Sequence, residues 1–284
     1  MHLNKFIDQA AYDAGKYDMD FPAVALVGTN VTYAPDPIIR DYSKEYLTFE
    51  ALTNGRIFLF VDGGAEIYPA EIYPVIQYSI NGDSWANLQA STPAPGTVPD
   101  SILVASGDIV RIKGSLSSSL VGDGAFAYFG CSANCNIYGN IKSLQYGDNF
   151  EGKTDSVYYP FLFRDCDCLI SAEHLVLPST TVVDDSLYGS YASMFRGCSS
   201  LTIAPTIPHV TVTTGSVGNA LSGMFASCLS LRKVTCLLQG TGLSLDVWLS
   251  GVSATGTFVK AADASWVSGE NGIPNGWTVQ NAVS

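Results

Sequence analysis

The chain has 284 residues, enough for one large domain or two smaller ones. Hydrophobic residues make up 47% and charged residues only 14%, against about 25% charged in ordinary globular proteins, so Ser, Thr, Asn and Gly must cover much of the surface. A formal net charge of −12 argues against nucleic-acid binding, which needs clustered Lys and Arg, and no apolar run reaches the roughly 18–20 residues of a membrane-spanning helix.

Residues 1–40 read as an N-terminal docking arm. The first twenty residues lack the apolar region of a secretory signal, so either a signal was removed or replaced, or the protein reaches its place without secretion. Phe6, Ala10, Ala11 and Ala14 recur at roughly helical spacing, and Gly15 is a natural stop. FPAVALVGTNVTYAPDP (21–37) reads as extended chain with a turn at Gly28–Asn30, closed by Pro35 and Pro37. Such an arm buries little by itself, so it is expected to pack on the next domain or dock on another protein.

Residues 41–115 are expected to form a small β-sandwich. EYLTFEAL alternates apolar and polar residues, and RIFLFV (56–61) reads as a fully apolar strand. VIQYSINGDSWANLQ is a hairpin whose Asn81-Gly82 pair suits a type I′ turn. SILVASGDIVRIKGS supplies two more strands around Gly107-Asp108. YSINGDSW resembles the Asp-box hairpin of sialidases, an element that is structural there and implies no activity. The loop 62–74 carries Asp62, Glu66 and Glu71. Held at the right separation, two of these carboxylates would serve glycoside hydrolysis, and together they would suit Ca²⁺; solvated loop charge is the plainer account.

From 116 onward the expectation is a short leucine-rich-repeat solenoid of helix-turn-strand units. Residues 116–150 would be its N-terminal cap, with Ile137, Ile141, Leu144 and Phe150 facing inward. FLFRDCDCL, SMFRGCSSL and GMFASCLSL then repeat one pattern. Phe163, Phe195 and Phe225 stand in register 32 and 30 residues apart, as do Cys166, Cys198 and Cys228 and then Leu169, Leu201 and Leu231. Leu187, Tyr191, Met194 and Phe195, and thirty residues later Val217, Leu221, Met224 and Phe225, fall at i, i+4, i+7 and i+8. That spacing predicts a short amphipathic helix in each unit, with Ser186 and Ser216 as caps. LVLP (175–178), TIP (206–208) and VTCLLQ (234–239) are the expected strands. Residues 245–284, with Trp266 and Trp277, would be the C-terminal cap; those rings pack there or stack on sugar.

Seven cysteines are an odd number, and the in-register three read as small buried thiols rather than reactive groups. CSANC (Cys131, Cys135) and CDC (Cys166, Cys168) lack the usual zinc spacing and have no suitable second pair. His2, His174 and His209 belong to no catalytic motif, and no phosphate-binding glycine loop is present. No cofactor, metal or catalytic residue is therefore assigned, and an enzyme is not expected.

The MFxxCxSL repeats, the NIYGNIKSLQYGDNF entry and the GTFVK…W…GIPNGWTV exit together resemble the BspA-like leucine-rich repeat proteins of gut Bacteroidetes and their phages, over roughly residues 130–284. The segment AAYDAGKYD…FPAVALV…VTYAPD is similar to the N-terminal segments of structural proteins from phages of those bacteria. The resemblance implies a non-enzymatic virion protein: a head fibre, capsid decoration or tail-associated protein. It would dock on other virion proteins through residues 1–40 and present its repeats for adhesion to host-surface protein or glycan, as a single chain or a homo-oligomer. A bacterial cell-surface adhesin and a carbohydrate-active enzyme using loop 62–74 are the alternatives.

Overall fold

The computed structural model describes residues 24–27, 30–33, 40–62, 74–92, 99–116, 118, 120–122, 125–154, 158–178, 190–209, 220–238 and 245–283. The chain divides into two units, Met1–Tyr42 and Ser43–Ser284. In the first, β1 (Val24–Val27) and β2 (Asn30–Tyr33) pair antiparallel. The helix expected over residues 6–14 lies outside the described residues.

The second unit is built on two sheets. One has four strands: β7 (Ser101–Val104), β4 (Gly55–Asp62), β10 (Ala125–Cys131) and β9 (Leu120–Gly122), in that order. The other has ten. Its antiparallel part is β6 (Ala86–Gln89), β5 (Val75–Ile80), β8 (Ile109–Gly114) and β3 (Leu47–Ala51). β3 then pairs antiparallel with β11 (Cys135–Asn140). From β11 the sheet runs parallel through β12 (Leu169–Val176), β13 (Ile203–Ile207), β14 (Lys233–Cys236), β15 (Thr257–Lys260) and β16 (Thr278–Asn281).

Period-two alternation places the core between the sheets. Leu47, Phe49, Val110 and Ile112 of the larger sheet are buried, as are Ile57, Leu59 and Phe129 of the smaller. Phe49 and Phe129 meet across the gap with ring centroids 5.3 Å apart. The Asn81-Gly82 hairpin is present, with φ of 53° and 88° at its two turn residues. The turn at Gly107-Asp108 does more than join a hairpin, because β7 lies in the four-stranded sheet and β8 in the ten-stranded one.

The expected fold class is overturned on two counts. Among the described residues the repeats contain no helix, and the α-helix is the single turn Ser143–Tyr146, outside them. Each repeat instead folds as a turn that stacks on the next. N–H groups of Tyr159, Phe161, Phe163 and Asp165 donate to carbonyls of Ser190, Ala192, Met194 and Arg196, at 2.7–3.1 Å. Tyr191, Ser193, Phe195 and Gly197 repeat this onto Ala220, Ser222, Met224 and Ala226, and Gly223, Phe225 and Ser227 onto Asp246, Trp248 and Ser250. The backbone explains why a helix fails. Phe161, Ser193, Gly223 and Val247 have φ of 64°, 52°, 60° and 47°; four residues on, Asp165, Gly197, Ser227 and Gly251 have 56°, 80°, 64° and 73°. Two left-handed residues per turn cannot belong to a right-handed helix. The helical-looking spacing marks side chains that the turn points inward, since Tyr191, Met194, Phe195, Cys198 and Leu201 are all buried. Ser186, Leu187, Ser216 and Val217 lie outside the described residues.

The second count concerns the sandwich and the caps. Strands of 41–115 do not close on themselves; β10 pairs with β4, and β11 pairs with β3, so the larger sheet runs on into the repeats. β11 is interior to that sheet and not the covered end of a solenoid. At the other end, Leu245–Gly251 adds a fourth stacked turn. Trp248 and Trp277 are buried, and their indole N–H groups donate to the carbonyls of Gly272 and Ser253 at 2.8 Å. Trp266 stacks on Trp248 at 5.4 Å. These tryptophans are packing residues.

Through the middle runs one row of rings. Phe163 lies 5.8 Å from Phe129, Phe195 5.2 Å from Phe163, and Phe225 5.5 Å from Phe195, with interplanar angles of 22°, 18° and 14°. The core between the sheets and the core of the stacked turns are thus continuous.

Candidate functional site

The residues singled out for chemistry do not converge among the described residues. Asp62 ends β4, exposed; Glu66 and Glu71 lie outside the described residues. His174 is half-buried on β12, His209 is exposed after β13, and His2 is outside the described residues. No group of three or more His, Cys, Asp or Glu among the described residues is arranged to hold a metal ion. No described helix is long and apolar enough to cross a membrane.

What the fold does assemble is an aromatic face. In β4 the odd-numbered residues Ile57, Leu59 and Val61 point into the core, so Arg56, Phe58, Phe60 and Asp62 share the outer face. The register of β10 on β4 sets Gly130 opposite Phe58, Tyr128 opposite Phe60, and Phe126 opposite Asp62. Phe58 and Phe60 stack at 5.2 Å and 15°. Tyr128 follows, 5.5 Å from Phe60, then Phe126, 5.8 Å from Tyr128. The first stacked turn adds Phe161, 4.5 Å from Phe126. Phe58, Phe60, Tyr128 and Phe161 stay partly exposed, and Phe126 is buried beneath its neighbours.

Gly130 is required for this surface. A Cβ there would sit 2.7 Å from a ring carbon of Phe60, so only glycine lets that ring lie flat across β10. Polar groups edge the face. The Arg164 guanidinium lies 5.4 Å from the Phe126 ring and 5.9 Å from that of Phe161, and its Nε is 2.9 Å from Asp165 Oδ2. Arg56 donates to the Ser101 hydroxyl at 2.8 Å. Opposite Arg56, Leu103 is 65% exposed. Burial, followed by the charge of Asp62, pushes the Tyr128 phenol up, so it is neutral at physiological pH and can both donate and accept a hydrogen bond. A row of partly exposed rings with polar edges suits stacking against the flat C–H face of a sugar, with hydroxyls reaching the edge groups.

A second surface is a shallow groove of about 980 Å³ beside the short helix, lined by Gly114, Gln145, Tyr146, Asp148, Glu151 and Lys153 among others. Its central charges are already satisfied. Lys113 Nζ donates to both oxygens of Asp148 at 2.8 and 2.9 Å, and the Tyr46 hydroxyl to Oδ1 at 2.8 Å. Lys113 also sits 4.1 Å from the centre of the Trp85 ring. The lysine, then the tyrosine, holds the Asp148 carboxyl below the usual range. This knot ties β8 to the residue just before β3 and to the turn just after the helix, which is a structural role.

Sequence reasoning missed the aromatic face because RIFLFV was taken as apolar on both sides. The signal was there in the parity of the large rings: Phe58 and Phe60 on one strand, and Phe126 and Tyr128 on a later one. Their pairing is set by a contact between segments some seventy residues apart, which alternation alone does not reveal. No family model matches the chain, nor does any curated protein or solved structure.

Proposed function

We propose that this chain is a non-enzymatic virion protein: a head fibre, capsid decoration or tail-associated protein that docks through its N-terminal segment and adheres to host-surface glycan. The observation that carries the adhesive part is the aromatic face of Phe58, Phe60, Tyr128 and Phe161 on strands whose opposite residues, Ile57, Leu59, Val61, Ala127 and Phe129, are buried. Exposed aromatic surface of this extent on a rigid support marks a recognition site more often than a bare surface. The low charge of the chain favours a neutral glycan over an acidic or basic partner. The docking part rests on the resemblance of residues 1–40 to phage structural proteins, and the separation of Met1–Tyr42 as its own unit is compatible with it.

Two experiments test the two parts. Wild type and a Phe58→Ala/Phe60→Ala variant are compared on an array of neutral and charged host-surface glycans. Loss of one stacked ring pair is expected to weaken neutral-glycan binding about tenfold or more, while the thermal midpoint stays close to wild type. Equal binding by both proteins would remove the aromatic face from consideration. Separately, a chain lacking residues 1–40 is expected to fold and to retain glycan binding, yet no longer to join particles. Full occupancy on particles without the arm would refute the docking role.

A further inference from the structure

Four of the seven cysteines gather where the four-stranded sheet meets the first stacked turn. Cys131 ends β10, Cys135 begins β11, and Cys166 and Cys168 lie between the first turn and β12. The Cys131 and Cys166 sulfurs are 3.0 Å apart. Cys135 and Cys168 are joined through the backbone, the Cys135 N–H donating to the Cys168 carbonyl at 2.9 Å, and the Cys135 thiol donates to the Ala133 carbonyl at 3.2 Å. The other three cysteines differ in kind. Cys198 and Cys228 each donate to a carbonyl one turn back, Phe163 and Phe195, at 2.9 and 3.0 Å, and Cys236 is buried on β14.

The arrangement decides between metal and redox chemistry. A tetrahedral metal needs four sulfurs around a vacant centre, each about 2.3 Å from it. Here the Cys131 and Cys166 sulfurs are 3.0 Å apart, closer than the roughly 3.8 Å that separates two ligands of one such ion, and no metal-holding group is present among the described residues. Two thiols in such contact are instead placed to be joined as a disulfide. Cys131 and Cys168 are partly exposed, whereas Cys135 and Cys166 are buried, so a reagent has an entry and the pair has a protected end.

We infer that Cys131 and Cys166 are an oxidisable thiol pair that closes a disulfide when the protein meets a small-molecule disulfide. The step balances as an exchange. A thiolate of Cys131 or Cys168 attacks the reagent RSSR, giving a protein mixed disulfide and releasing one RS⁻, which takes up the proton the thiol lost. A neighbouring thiolate then displaces the second RS⁻. Passed on to Cys131 and Cys166, the result is one protein S–S bond and two RSH. The two sulfurs must close by about 1 Å to reach the bonded length of about 2.05 Å. The bond would staple β10 of the smaller sheet to the turn that feeds β12 of the larger, across 35 residues of chain. The inference does not depend on what the aromatic face binds.

The test uses the full chain and oxidised glutathione. After incubation, free thiols are expected to fall from seven to five, and peptide mapping by mass spectrometry is expected to find a Cys131–Cys166 cross-link. The thermal midpoint should rise by roughly 5–10 °C, as one disulfide closing a loop of this size implies for a chain of this length. Cys131→Ser should abolish the cross-link, whereas Cys228→Ser should leave it intact. Cys168→Ser, a change at a partly exposed site, should slow its formation without preventing it. Seven free thiols after oxidation of the folded protein, glutathione retained on Cys168 alone, or a cross-link that bypasses Cys131 would each overturn the inference.

Discussion

Two parts of this molecule put phenylalanine to opposite use. In the stacked turns, Phe163, Phe195 and Phe225 lie in a closed row with no exposure, each ring nearly parallel to the next. On the four-stranded sheet, Phe58 and Phe60 are stacked as closely and lie partly in solvent. Ring geometry is the same; what differs is the second side of each ring. In the stack a neighbouring turn covers it. On the sheet nothing in the described chain completes the row beyond Phe58. Stacking by itself therefore says nothing about role, and the uncovered side is what distinguishes a recognition surface from a core.

The largest effect should come from breaking the closed row. Phe195→Ala leaves a cavity between two rings and is expected to cost about 3–5 kcal/mol by denaturant unfolding. Phe58→Ala should cost less than about 1.5 kcal/mol, because its ring is already partly hydrated. If the two variants lose equal stability, the contrast between core and surface rings fails. A smaller loss should follow Gly197→Ala. The residue has φ of 80°, and a Cβ would lie 2.2 Å from Asp165 Oδ1, so about 2 kcal/mol is expected from strain and displacement together. Adding Asp165→Gly should recover the displacement part and leave the strain; a double variant no more stable than Gly197→Ala alone would show that the two side chains do not meet. The smallest effect is a gain. Val247 is β-branched and held at φ 47°. Val247→Asn should raise stability by about 1 kcal/mol, read as a rise of about 2–4 °C in thermal midpoint. A fall would mean that this last turn is not left-handed in solution.

The residues that fill the stack were legible in the sequence, and its local shape was not. Phe, Cys and Leu in fixed register mark buried positions whatever backbone carries them, and Phe195, Cys198 and Leu201 are indeed fully enclosed. Spacings of i, i+4, i+7 and i+8 fit a helix, but they also fit a turn that reverses twice through left-handed residues. Glycine at 197, 223 and 251 hinted at the second reading. Phe161, Ser193 and Val247 at equivalent places hid it, since side chains of those kinds rarely adopt positive φ. The hairpin at Asn81-Gly82 was legible because its turn is encoded locally. The pairing of β3 with β11 was not, because it joins residues more than eighty apart. For the candidate site, the rings were visible as letters while their shared face was not. The acidic loop drew the eye through its carboxylates, although among the described residues only Asp62 of that set is placed, at the edge of the face.

The hydrogen bonds between stacked turns have an electrical consequence. In each set the earlier turn donates N–H and the later turn accepts with C=O, from Tyr159 onto Ser190 through to Ser227 onto Ser250. Their peptide dipoles therefore add along the stack instead of cancelling, much as they do along the axis of an α-helix. The column carries partial negative charge toward Phe129, whose N–H caps the Leu162 carbonyl, and partial positive charge toward the last turn. Asp246, the exposed acid of that last turn, sits at the end where a negative charge is favoured.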